Sequence, residues 1–93
     1  MQRSDLERSW LITRGHLSSA LAYLPPEPVG GDEGWSLPRY QEWLAHNELE
    51  LALDELAGLG EANMAPKEFW HALAAAANNM GLKDRAEAYE NFL

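Results

Sequence analysis

A chain of 93 residues can build one hydrophobic core but not two, and its aliphatic content with four Trp, three Tyr and two Phe is globular in kind. It has no cysteine, which removes disulfides, thiolate nucleophiles and sulfur-based zinc sites and suits a reducing cytoplasm. The net charge of −8 is concentrated: residues 27–61 hold nine carboxylates against Arg39 alone, a middle that repels phosphate backbones and attracts basic protein surfaces.

The first ten residues are charged and lack the apolar stretch of a signal peptide, and no apolar run reaches the length of a membrane span. Neither export nor membrane insertion is expected. Ser4-Asp5-Leu6-Glu7 has the form of a capping box, so a helix is predicted to begin at Ser4. Leu6, Trp10, Thr13, Leu17, Leu21 and Leu24 share one face of it, Leu11 and Ile12 point away, and Pro25-Pro26 end it. Pro25 to Trp35 holds three Pro and three Gly and reads as an exposed loop. Its Asp32 and Glu33 lack the alternating oxygen ligands and terminal Glu of an EF-hand.

Residues 36–60 read as a central helical hairpin. Ser36 caps a short helix with Pro38 in its first turn and Leu37, Tyr40, Trp43 and Leu44 facing inward. Asn47-Glu48-Leu49-Glu50 repeats the pattern of cap followed by carboxylate, which makes Asn47 the expected N-cap of the next helix. There Leu49, Ala52, Leu53, Leu56 and Gly60 share a face, while Glu48, Glu50, Asp54 and Glu55 fall off it, and Gly58-Leu59-Gly60 is the predicted end. Pro66 suits the first turn of a fourth helix with a Phe69, Trp70, Leu73, Ala77, Met80 stripe, and Gly81 with Leu82 is placed to stop it in a Schellman motif. A fifth covers roughly 83–92. The expected fold is all-α: one domain over 1–93, a compact bundle of about five helices. Its predicted core contains Trp10, Leu17, Leu21, Tyr40, Leu44, Leu49, Leu53, Leu56, Phe69, Leu73 and Met80.

Catalytic and metal chemistry find little support. Glu68 and His71 form half of a carboxylate di-metal motif, but no second copy exists and His71 lies opposite the apolar stripe. Glu42 and His46 make an ordinary i, i+4 surface pair, and His16 sits at the edge of an apolar face. No nucleophile elbow or glycine-rich phosphate loop appears, so neither enzyme activity nor a cofactor is expected. Leu51 is the exception on the acidic face. It stands nearly opposite the Leu49, Leu53, Leu56 stripe with Glu48, Asp54 and Glu55 around it, an apolar centre with a charged rim.

Tyr40, Trp43, Leu44, His46-Asn47-Glu48 and Leu51-Ala52-Leu53-Asp54-Glu55-Leu56, followed by Ala77 and Met80-Gly81-Leu82, resemble the MafI-type immunity proteins of bacterial polymorphic toxin systems. Those are small acidic helical proteins with a His/Asp-Gly/Asn-Glu junction, an Ala-Leu-x-x-Leu helix and a Met-Gly-Leu stop. The likeness covers roughly residues 37–84; Asn47 stands where glycine is usual, and the 25–34 loop has no counterpart. It implies a cytoplasmic protein that neutralises a cognate toxin domain by occluding its surface. Glu42, Glu48, Glu50, Leu51, Asp54 and Glu55 are the expected contacts with a basic protein partner, and neither nucleic acid nor membrane is expected to bind. A second comparison is the tetratricopeptide repeat of 34 residues. Asn47 and Gly81 keep that spacing, as do Ala52 and Ala86, but Glu90 falls where Leu56 has its equivalent. The alternative function is accordingly a homo-oligomeric structural or adaptor module of helical hairpins, joined through Leu11, Ile12 or Leu51.

Overall fold

The computed structural model describes residues 3–93. It is all-helical: α1 (Arg3–Leu21), α2 (Leu37–Ala45), α3 (Leu49–Ala62), α4 (Lys67–Asn79) and α5 (Lys83–Glu90), with no strand among the described residues. α1 already includes Ser4, the residue expected to cap it, and it ends at Leu21 in tight turns that lead to the buried Leu24.

Three junctions share one geometry. At the end of α2 the Glu48 N–H donates to Trp43 O (2.8 Å) and the Asn47 N–H to Leu44 O (3.0 Å). At the end of α3 the corresponding bonds are Ala65 N to Gly60 O (2.9 Å) and Met64 N to Glu61 O (3.3 Å). Leu82 N to Ala77 O (2.9 Å) and Gly81 N to Asn78 O (3.0 Å) complete the set. Each is a Schellman motif, and each puts its penultimate residue in the left-handed region: Asn47 at φ 55°, Met64 at 52° and Gly81 at 75°. Asn47 therefore closes α2 and does not cap α3, whose N-cap is Glu48 without a side-chain bond. The amide of Asn47 instead serves α1: Arg14 Nη2 donates to Asn47 Oδ1 (3.0 Å) and to Leu44 O (2.7 Å).

The hairpins do not stack as repeats. α2 lies on α3 and α5 on α4, but the long flank of α4 is taken by α1, and α2 does not reach α4. A polar bond fixes the α1–α4 register, since Asn79 Nδ2 donates to the buried Thr13 Oγ1 (2.8 Å) and to Ser9 O (3.0 Å). Of the expected core, Leu17, Tyr40, Leu49, Leu53, Leu56, Phe69 and Leu73 are buried. Trp10, Leu21, Leu44 and Met80 are only half-buried, because alanines occupy the closest helix contacts: Ala20, Ala52, Ala76, Ala77 and Ala86 are all buried.

α3 does not stop at its glycines. It continues to Ala62, and Gly58 and Gly60 are buried where aromatic rings press on the helix. A β-carbon at Gly58 would strike the indole of Trp35 and one at Gly60 the ring of Phe69. The segment before α2 is largely exposed, as its composition implies, but it is tied to α3. Asn63 holds Val29 by two bonds, Val29 N to Asn63 Oδ1 (3.0 Å) and Asn63 Nδ2 to Val29 O (2.9 Å), which draws the loop across the outer side of α3.

Two stability outcomes follow from these contacts. Alanine is favoured over glycine inside a helix by about 1 kcal/mol, but overpacking costs about 1–3 kcal/mol, so Gly58→Ala should lower the urea midpoint. Removing the obstruction with Trp35→Ala should leave Gly58→Ala neutral or stabilising in the double variant. Met64 is 90% exposed in a left-handed conformation, so Met64→Gly should raise stability by about 0.5–1 kcal/mol in the same assay.

Candidate functional site

The six residues picked out on the acidic face separate into three groups. Glu42 on α2 and Glu48 at the α2–α3 junction are exposed and carry no ion pair among the described residues. Glu50 and Asp54 project from α3 toward α5 and share one cation: Arg85 Nε meets Asp54 Oδ1 at 2.7 Å and Arg85 Nη1 meets Glu50 Oε1 at 2.9 Å. Leu51 between them is 42% exposed. Its side chain is exposed as its helical position implies, but of the three carboxylates expected around it only Glu48 is exposed and without an ion pair among the described residues.

Glu55 is the correction. It is 3% exposed, not a rim carboxylate, because the loop and the start of α2 close over the side of α3 that helical periodicity assigns to solvent. Both of its oxygens are used: Arg39 Nε donates to Oε1 (2.7 Å), Arg39 Nη2 to Oε2 (2.8 Å), the Ser36 N–H to Oε2 (2.9 Å) and Trp43 Nε1 to Oε1 (3.2 Å). Burial alone would raise this carboxyl, but the Arg39, Ser36 and Trp43 bonds and the Arg39 charge together hold it below the usual carboxylate range. Arg39 in turn closes the loop by donating to Gly34 O (2.8 Å). Glu55 is thus a fastener between the loop, α2 and α3.

On the α5 side, Arg85 is raised by its hydrogen bond to Asp54 and by the Asp54 and Glu50 charges, against an opposing effect of burial. Tyr89, at the base of the same side, is also raised, chiefly by burial and then by Asp54. Tyr40 in the core is pushed up to about 12 by burial, with Arg14 opposing. At neutral pH the paired side chains therefore stay ionised and the buried phenols stay neutral. The hydroxyls of Thr13 and Ser36 serve as acceptors for Asn79 and the Arg39 N–H, and no group of three or more metal-ligating side chains converges among the described residues.

Periodicity missed Trp35, Glu61, Asp84 and Arg85, which belong to different segments and meet around α3 and α5. One signal was present: Gly58 on an outward position of an otherwise strong helix marks a close approach. Comparison with protein-family models, with curated proteins and with solved structures found no match to this chain.

Ionised Glu55 has a depressed native pKa, so its contribution is present above the unfolded-state value and fades as pH falls through the native one. Glu55→Gln should therefore lose about 1.5–3 kcal/mol of unfolding free energy at neutral pH. The gap from the parent protein should begin to narrow below the unfolded-state value of about 4.3 and close as pH falls through the lower native one, where the parent carboxylate is itself protonated. A gap of constant size across the acid range would show that the charge is not what fastens the loop.

Proposed function

We propose that this protein is an acidic protein-binding module of the immunity type, which neutralises a basic toxin domain in the cytoplasm by covering its surface. The observation that carries this reading is how the charge is distributed. Arg39 is consumed by Glu55, and Arg85 is shared between Asp54 and Glu50. Neither is left to offset Glu42, Glu48 or the remaining exposed carboxylates of the chain's middle, so the α2–α3 hairpin that carries the exposed Leu51 keeps a net negative charge. The field of such a charge speeds encounter with a basic partner, and an exposed Leu within it supplies contact that is dry once bound. The MafI-like pattern over residues 37–84 points the same way.

The homo-oligomeric reading has an observation of its own, since Leu11 and Ile12 are 69% and 46% exposed on the outer side of α1. Sedimentation separates the two, because a stable homodimer of the isolated chain favours the second.

Co-expression with the product of a neighbouring toxin-like gene tests the first: growth should be protected and a complex should elute on gel filtration. Within that complex, Glu42→Gln with Glu48→Gln should lower the association rate about two- to tenfold and flatten its salt dependence. Leu51→Ala should raise the dissociation rate with the salt dependence unchanged. Absence of protection and of any complex would overturn the immunity reading.

A further inference from the structure

α3 and α5 pass each other without backbone packing, and what joins them is the Arg85 side chain, held by Asp54 and Glu50. Beside this bridge lies a cleft of about 430 Å³. Trp35, Ala57, Gly58 and Ala88 form its apolar lining, and Glu61 and Asp84 stand at its rim. Past Trp35, Gly58 and Glu61 a second depression of about 370 Å³ continues it, edged by Asp32 and Glu33. Asp32, Glu33, Glu61 and Asp84 are exposed and have no ion-pair partner among the described residues.

Two features beside this charge specify an occupant. The first is Arg85 itself, a guanidinium held by Asp54 on the wall of the cleft and by Glu50 just outside it, an internal example of the group that carboxylates on this side of α3 accept. The second is the lining. The carbons at the centre of the Trp35 indole are those a Gly58 β-carbon would meet, so one face of the ring lies flat on α3. Together with Ala57 and Ala88 it offers a smooth apolar surface of the kind that the methylene stem of Arg or Lys covers while its charged head stays at the rim.

We propose that the α3–α5 cleft is the docking groove for an Arg/Lys-bearing segment of a partner protein, with the partner's cation at the Glu61 and Asp84 rim and its stem over the Trp35 ring and Ala88. This rests on the reading of the chain as a protein-binding module and assigns the contact to the α5 side of α3. Ala57 and Ala88 let a partner's chain come close, and the rim carboxylates supply both attraction and register.

The test is NMR titration of isotope-labelled full-length protein with a capped, alanine-based peptide carrying Arg and Lys, at low ionic strength. Saturable shifts should centre on Gly58, Glu61, Asp84, Ala88 and the Trp35 indole N–H. Glu61→Gln with Asp84→Asn should weaken binding at least about fivefold, and Asp5→Asn with Glu68→Gln, an equal change of charge on the exposed surface of α1 and α4, less than about twofold. Arg85→Gln, which frees Asp54 and Glu50, should tighten binding more than the charge-matched Arg8→Gln. Equal weakening by the two double variants, shifts spread over the whole acidic surface, or no saturable binding would each overturn the groove. None of these outcomes touches the immunity reading, which stands or falls on protection and complex formation with the toxin-like product.

Discussion

Burial of the Glu55 carboxylate commits the outer side of α3 to contact with the protein's own chain. A charge in that position needs several donors, and it has them from the Arg39 guanidinium, the Ser36 backbone and the Trp43 indole. Each donor comes from the loop end or α2, so satisfying one carboxylate fixes how α2 lies on α3 and where the preceding loop crosses. Trp35, adjacent to Ser36, is set on Gly58 by the same arrangement. The hairpin thus owes its geometry to a polar contact as much as to the Leu53 and Leu56 core beneath it.

Around that hairpin the bundle is assembled by close backbone approach. Alanines at the buried positions of α4 let α1 and α5 come near it, and glycines in α3 admit two aromatic rings. Such contacts bury little area per side chain but leave few alternatives, since one added methyl meets a ring or a backbone. The helix junctions obey a related economy. Three Schellman closures turn the chain sharply at Asn47, Met64 and Gly81, and only the last uses glycine for the left-handed residue. Asn47 makes the conformation useful by accepting from Arg14, whereas Met64 leaves its side chain in solvent.

Electrostatically, the molecule spends its few central cations on internal pairs. Arg39 and Arg85 each hold carboxylates of α3, which secures α2 on one side and α5 on the other. What remains on the surface is a negative field interrupted by a few exposed apolar side chains. Field and apolar contact act on different steps of association, the first on encounter and the second on release.

How much of this was legible from residues alone depends on the range of the interaction. Periodicity and capping placed all five helices and most of the core, because a helix face, a Pro-Pro stop and the Gly81-Leu82 closure are decided within a few residues of one another. Glycine in α3 and Asn47 were misassigned for the opposite reason. The sequence marks them as residues able to take a turn, and only the neighbouring rings and Arg14 decide whether they do. Glu55 illustrates the same limit at the candidate site: its wheel position faces water, and the tertiary structure covers it with the end of a loop, at Ser36, nineteen residues earlier. By itself, the sequence determined an acidic all-helical chain with its helices in the right order, since local propensity and hydrophobic period suffice for that. Which carboxylates face inward, and the cleft they leave between α3 and α5, were decided by the folded chain, because burial and ion pairing are set by contacts between distant segments.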